Sequence, residues 1–371
     1  MSPPLRRALF LAVPYLAFAL LLLSVEGLVR WRLAHLTPLD FLVTAPEQQA
    51  QMVDARHLRI FEGDPLLFWR LAPSLRDVVW DQTPVTTNAQ GLRYDHDVAE
   101  KPAGAFRILC LGDSVTFGFR VPLVFLKRPQ ERDPSWLPYP ARLEKALRAA
   151  NPERTIEVIP LAVPGYSSHQ GLCWLRRDLL RYRPDVVTLL YGWNDVSLRG
   201  VSDADAMKPD RLDVLARDLV SRSQALMYGW RALHRPPASA AGGPPAPRVE
   251  RVGREQFVVN MLEMARLATA AGAAPVVIGP VFRDAEEYPE EAQRMAAHRA
   301  ALREAARREG IDYLEVPPLT ETGWPANRGL FLEHIHPNHA GHRVLAAALL
   351  AHLAGLHRLG TLQAPPAEVE P

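Results

Sequence analysis

Leu109-Cys110-Leu111-Gly112-Asp113-Ser114-Val115-Thr116-Phe117-Gly118 is the stretch on which the fold turns. The apolar run 108–111 reads as a buried strand. It ends in a glycine, an acid and a serine, and a second glycine follows four residues after the serine. A serine at the C-terminal end of a central parallel strand sits where doubly wound sheets place their ligands. Gly-Asp-Ser alone is a common turn tripeptide, so the weight rests on what surrounds it.

Strand-like runs at 107–111, 156–161, 186–191, 274–278 and 311–316 alternate with helix-like stretches at 140–150, 169–182, 256–271, 289–308 and 339–357. Short strands alternating with helices argue for an α/β fold, a parallel sheet covered on both faces. Upstream, 30–104 reads as a connecting region. It contains a strand and turn in Val85-Thr86-Thr87-Asn88 and Gly91-Leu92-Arg93, and it closes on the breaker cluster Lys101-Pro102-Ala103-Gly104. Two segments interrupt the alternation. Residues 121–138 are polar and contain proline; leaving the strand end directly after Ser114, they are expected to border the site. Residues 197–251 are longer, and the Pro/Ala/Gly tract 235–248 within them is expected to be flexible. The domain is expected to span 105–357, with a disordered tail at 358–371.

Residues 8–29 are almost wholly apolar, with Glu26 the only charge. As a helix they reach about 33 Å, enough for a bilayer core. Arg6 and Arg7 precede this run, and Arg30 and Arg32 follow it. It is longer than a usual signal-peptide core and has no clean small-x-small cleavage site after it. The expectation is an uncleaved single-pass anchor, its N-terminus inside and the bulk of the chain extracytoplasmic. The flanking charges nearly balance and leave orientation weakly determined.

The 371 residues are enough for a large core. A net charge of +2, without a basic block interleaved with aromatics, argues against a nucleic-acid partner. Two cysteines, Cys110 and Cys173, make neither a disulfide framework nor a zinc spacing, and Cys110 is expected in the core.

Four blocks follow predicted strands and therefore share one edge of the sheet: Gly112-Asp113-Ser114, Pro160-Leu161-Ala162-Val163-Pro164-Gly165-Tyr166, Tyr191-Gly192-Trp193-Asn194-Asp195 and Glu333-His334-Ile335-His336-Pro337-Asn338. Together they supply the inventory of acyl transfer. A serine hydroxyl needs a base, and His336 is the candidate. A carboxylate orients such a base and stabilises its imidazolium, and Glu333 is the candidate. The developing oxyanion needs preorganised donors. The Ser114 N–H, the Gly165 N–H and the Asn194 side-chain amide are the candidates.

On these blocks the chain resembles the SGNH superfamily of serine esterases, the GDSL hydrolases, whose four named residues match Ser114, Gly165, Asn194 and His336. The resemblance covers roughly 106–357. It implies a flavodoxin-like sheet of five parallel strands, and hydrolysis or transfer of acyl esters without metal or cofactor. The sequence departs from the family pattern at Val115, where leucine is usual, at Pro160, where asparagine often opens the block, and at Glu333, where aspartate is usual. The extra methylene of Glu333 must be accommodated for its carboxylate to reach His336 Nδ1.

Other readings are plainer. Asp113 and Asp195 are expected to organise turns. His339 and His342, three apart on a predicted helix, have the spacing of zinc ligands but no accompanying carboxylate or cysteine shell. They are expected as partly exposed helix residues. Trp193 and Tyr166 either line a pocket or pack in the core. The leading expectation is a membrane-anchored serine esterase acting on short acyl esters, on a saccharide or lipid of the cell envelope. Transfer of an acetyl group to an envelope saccharide uses the same nucleophile, and a non-catalytic envelope scaffold is the third reading.

Overall fold

The computed structural model describes residues 3–33, 35–37, 60–123, 133, 135–233, 248–282, 288–320 and 327–365. Five parallel strands form the central sheet: β1 (Phe106–Gly112), β2 (Ile156–Ala162), β3 (Val186–Leu190), β4 (Ala274–Ile278) and β5 (Asp312–Leu314). Their order across the sheet is β5-β4-β3-β1-β2, the flavodoxin-like order 2-1-3-4-5 with its switch point between β1 and β3. In register, Gly112 lies beside Ala162 on one side and Leu190 on the other. The loops that leave these three strands therefore start level with one another.

The three strands β1, β2 and β3 are buried from end to end, as a sheet covered on both faces requires. Side chains alternate between faces. Phe106, Ile108 and Cys110 join Ile156, Val158, Val186, Leu190, Val276 and Ile278 in one apolar layer. Two helices cover that layer: α2 (Tyr139–Ala150), through Leu143 and Leu147, and α6 (His339–Gly355), through Leu345, Leu349 and Leu353. The opposite face carries α3 (Ser168–Tyr182), α4 (Arg254–Ala270) and α5 (Pro289–Glu309). The expected elements are present with ends displaced by a few residues. The tail starts later than expected: Leu359 and Leu362 are buried in the same layer, and the Gln363 N–H donates to the Asn151 side chain at 2.7 Å. The last six residues lie outside the described ones.

One cation is wholly buried in the sheet. Arg107, on β1, donates to Glu157 on β2 at 2.8 Å, to the Tyr182 carbonyl at 2.7 Å and to the Ala99 carbonyl at 3.2 Å. Residues 70–104 are thus part of this unit rather than a bare connector.

A second compact unit contains the N-terminal helix Pro3–Arg32, residues 61–69 and residues 208–233. Its helix has a stretch, Ala12–Arg32, of mean hydropathy 2.0 that is wholly unburied. That length and hydropathy meet the requirements of a membrane anchor and equally of a signal sequence. Within 197–251, described residues before the Pro/Ala/Gly tract form helices. Asp210 caps the helix Arg211–Ser221 through the Asp213 N–H at 2.9 Å, and the helix Gln224–Leu233 follows directly. Of the Pro/Ala/Gly tract 235–248, residues 235–247 lie outside the described residues, as does most of 124–134.

Replacing Arg107 with Met leaves the Glu157 carboxylate buried without its cation. A loss of about 3–5 kcal/mol is expected, read as a lowered urea midpoint; an unchanged midpoint would show that the pair is dispensable.

Candidate active site

Strand β1 ends at Gly112, and the chain turns at once into the one-turn helix α1 (Ser114–Phe117). The turn is too tight for a side chain at Gly112, where a Cβ would lie 2.0 Å from Thr116 Oγ1 and 2.8 Å from the Leu190 carbonyl. Asp113 caps α1, its Oδ1 accepting from the Val115 N–H at 2.9 Å. Gly118 closes it in the left-handed region (φ +80°), where its N–H reaches the Ser114 and Val115 carbonyls. Arg93 then fixes the exit. Its guanidinium donates to the carbonyls of Phe117, Gly118, Pro84 and Val121. Burial lowers its pKa to about 9, which keeps the cation at neutral pH.

The loop before α6 is equally constrained. Phe331 and Pro337 form a β-bridge, the Leu332 N–H donates to the His336 carbonyl at 2.8 Å, and the Asn338 N–H donates to the Leu330 carbonyl at 2.9 Å. Asn338 caps α6 through the Ala340 and Gly341 N–H groups. This short loop turns Glu333 and His336 to the same side. His336 Nε2 lies 2.8 Å from Ser114 Oγ, and His336 Nδ1 is hydrogen-bonded to Glu333 Oε1. Ionised Glu333 can only accept, so Nδ1 carries the proton and Nε2 is left to accept from the serine. The extra methylene of Glu333 is accommodated, and the Ile335 N–H holds the second carboxylate oxygen at 2.9 Å. Burial pushes the Glu333 carboxyl up, but the bonds from His336 and Ile335 and the nearby His334 hold it below the usual range. Phe119 packs on the His336 ring at 4.4 Å, supported by the edge of Trp80 and by Arg120, which pairs with Asp81.

Gly165 adopts φ +85°, a conformation natural to glycine. Among the described residues, neither its N–H nor that of Ser114 meets an acceptor. The Asn194 amide is already engaged. Its Nδ2 donates to Asp113 Oδ2 at 3.2 Å and to the Tyr166 carbonyl at 3.0 Å. It therefore ties three strand-end loops together, and offering a hydrogen to a ligand requires one of these bonds to open or be shared. Burial raises the Asp113 carboxyl to about 6, against the bonds from Val115 and Asn194 and the nearby His336.

The other singled-out residues separate cleanly. Asp195 is buried, accepts from the Ser168 N–H and hydroxyl, and is raised by burial to about 8. Tyr166 is a core residue, edge-on to Trp174. Trp193 is partly exposed, stacked on Phe282 and edge-on to His334. His342 differs from expectation: it is buried, not partly exposed. Its Nδ1 accepts from the Tyr139 N–H at 3.2 Å, and burial lowers it to about 3. His339 stacks on Trp136 at 4.3 Å. Among the described residues no group of three or more His, Cys, Asp or Glu side chains could hold a metal ion. Cys110 and Cys173 are free and buried.

One group of residues carries no motif and was not legible in advance. Arg251 is buried and donates to the Gly165 carbonyl at 2.8 Å, to Gln170 at 2.9 Å and to Asp203 at 2.9 Å. Asp203 also accepts from the Ser167 hydroxyl at 2.5 Å. Ser167 and Gln170 form the capping box of α3. The pair Asp203–Arg251 thus holds the Gly165 loop from behind.

Residues 110–344 match the GDSL-like Lipase/Acylhydrolase family. The chain belongs to that family. No curated protein in the comparison matches it. Solved structures similar to it include an acetylxylan esterase from Geobacillus stearothermophilus (19% identity, 67% of this chain and 95% of that one, TM-score 0.43). A GDSL-like lipase from Bacteroides thetaiotaomicron shares 15% identity over 70% of this chain and 93% of that one, with a TM-score of 0.43. An alpha/beta hydrolase from the metagenome of Lake Arreo, Spain, shares 20% over 68% and 97%, with a TM-score of 0.41. This GDSL-like acylhydrolase is a hydrolase of the esterase type.

Two outcomes test the loop architecture. Arg251→Lys keeps the charge but not the fork, and a fall in kcat of about tenfold or more with little change in KM is expected for an ester substrate; an equal loss in a variant remote from the Gly165 loop would deny the link. Folded Asp195 keeps its proton to about pH 8, whereas the unfolded carboxyl loses it near pH 4. The folded state therefore binds more protons in that window, and stability falls as pH rises through it. Asp195→Asn removes this contribution and flattens the urea midpoint between about pH 5 and pH 8; parallel profiles would contradict it.

Proposed function

We propose that this acylhydrolase is a membrane-anchored serine esterase of the cell envelope. Ser114 is its nucleophile, His336 its general base and acid, and Glu333 the group that orients His336. The observation that carries the reading is the unbroken chain of contacts Glu333–His336–Ser114, through Nδ1 on one side of the ring and Nε2 on the other.

Ser114 Oγ attacks the ester carbonyl while His336 Nε2 takes its proton. Glu333 stabilises the imidazolium. The carbonyl oxygen becomes an oxyanion, and the Ser114 and Gly165 N–H groups meet it without breaking protein bonds. Asn194 adds a third donor by turning one amide hydrogen from the Tyr166 carbonyl. His336 then protonates the leaving alcohol, and water attacks the acyl-enzyme by the same route in reverse. A short acyl group on an envelope saccharide or lipid is the substrate class consistent with the family and the apolar helix.

The anchor reading has its own support. Glu26 of the N-terminal helix accepts from Ser223 Oγ at 2.7 Å, the Gln224 N–H at 3.0 Å and the Ala225 N–H at 2.9 Å. Hydrogen bonds from another element of its own folded unit favour reading this helix as an anchor that stays with the chain.

The test uses the full chain in detergent or nanodiscs. A fluorophosphonate probe labels the protein, and short-chain aryl esters are hydrolysed. Ser114→Ala abolishes labelling and lowers kcat by about 10⁴-fold or more. Glu333→Gln lowers kcat with labelling slowed to match, by about 10²–10⁴-fold. Labelling that survives Ser114→Ala overturns the assignment. New ester on an added saccharide, in place of free acid, replaces hydrolysis with transfer.

A further inference from the structure

The unit built around the N-terminal helix has an apolar interior and a second apolar surface that stays exposed among the described residues. Met227 of the helix Gln224–Leu233 packs with Leu36, Phe68 and Val220. Arg217 of the helix Arg211–Ser221 lies over Phe68 and donates to the Pro65 carbonyl at 3.2 Å. These are the inward faces. Outward, Leu212, Leu215 and Leu219 recur at helical spacing, as do Leu226, Trp230 and Leu233. Leu212, Leu219 and Leu233 are 79%, 63% and 84% exposed. The helix Arg211–Ser221 buries no residue at all. Two adjacent leucine stripes of this kind carry a cost in water that single surface leucines do not.

The position of the second stripe is set by the N-terminal helix. Glu26 caps the start of the helix Gln224–Leu233, and Gln224 exchanges two hydrogen bonds with Leu36, at 2.9 and 2.6 Å. Glu26 stands six residues before Arg32, about 9 Å along the helix axis. The candidate span is Ala12–Arg32, so this attachment falls near one end of a span and close to the head-group level. The composition suits that level. Trp230 lies on one stripe, Arg211, Arg222 and Arg231 are exposed, and residues 208–233 hold five basic and three acidic side chains. An aromatic ring, leucines and flanking arginines are what an interfacial helix presents to anionic lipid.

We propose that the helices Arg211–Ser221 and Gln224–Leu233 lie in the membrane interface, with their leucine stripes in the acyl region and their arginines against anionic lipid head groups. This rests on the anchor reading above and extends it. The membrane contact is a three-helix surface, and the span is only one part of it.

The test places an environment-sensitive maleimide dye on single introduced thiols in the full chain, reconstituted into vesicles of phosphatidylcholine and phosphatidylglycerol. Native Cys110 and Cys173 are buried, and burial raises both thiols, Cys110 to about 12, so they do not compete for dye. Leu219→Cys and Leu226→Cys report on the two stripes. Leu21→Cys reports on the span, and Glu153→Cys on a water-exposed part of the hydrolase unit. Fluorophosphonate labelling of each sample shows that unit folded.

Lipid-borne nitroxide is expected to quench the dye at Leu219→Cys and Leu226→Cys about twofold or more, as at Leu21→Cys, and to leave Glu153→Cys unquenched. Quenching at Leu21→Cys alone overturns the inference and leaves the anchor standing. No quenching at Leu21→Cys removes the anchor, and the inference with it. Protection of the stripe positions from aqueous iodide without lipid quenching also overturns it, and assigns the surface to a protein partner.

Discussion

One buried carboxylate joins the parts of this site. Asp113 Oδ1 caps the helix that begins at Ser114, and Asp113 Oδ2 receives the amide of Asn194. Asn194 in turn holds the Tyr166 carbonyl, next to Gly165. Three loops from three neighbouring strands are thereby locked around one residue. The sheet register makes this possible, because β1, β2 and β3 end level at Gly112, Ala162 and Leu190. Burying a carboxylate is unfavourable unless donors surround it. Here the donors are the elements that have to be positioned.

The same economy recurs in the buried arginines. Arg93 gathers four backbone carbonyls beyond α1, and Arg251 gathers the Gly165 carbonyl, Gln170 and Asp203. Each guanidinium gives loop oxygens, the Phe117 and Gly165 carbonyls among them, a charged multi-pronged donor. A parallel sheet brings distant residues to one edge, but it does not hold the loops there. These cations do.

Much of the site was legible because its signals are local. A strand ending in Gly-Asp-Ser, a glycine before a capped helix, and a histidine followed by Pro-Asn each state their own backbone geometry. The histidine sites show the limit. His339 and His342 share one helix and one spacing, yet His342 is buried against Tyr139 while His339 stacks on Trp136 at the surface. Which side of α6 meets α2 is a fact of packing, and residue spacing does not contain it. The helices within 197–251 are a second case. Their leucine periodicity is present, but among the described residues these leucines stay exposed, so it marks no inward face of a globular fold.

The sequence by itself determined the alternation of strands and helices, the covered parallel sheet that follows from it, the four blocks at the strand ends, whose resemblance to a known family implied the flavodoxin-like order, and the apolar N-terminal helix. These depend on hydrophobic period and turn chemistry over a few residues, and such information is local. Tertiary structure decided the rest: that Glu333 reaches His336 despite its longer side chain, that the Asn194 amide is engaged at rest, and that Asp203 and Arg251, 48 positions apart, meet behind Gly165. Contacts of that kind depend on where the chain returns after a long excursion. Charge pairing and burial choose that place only once the whole sheet has assembled.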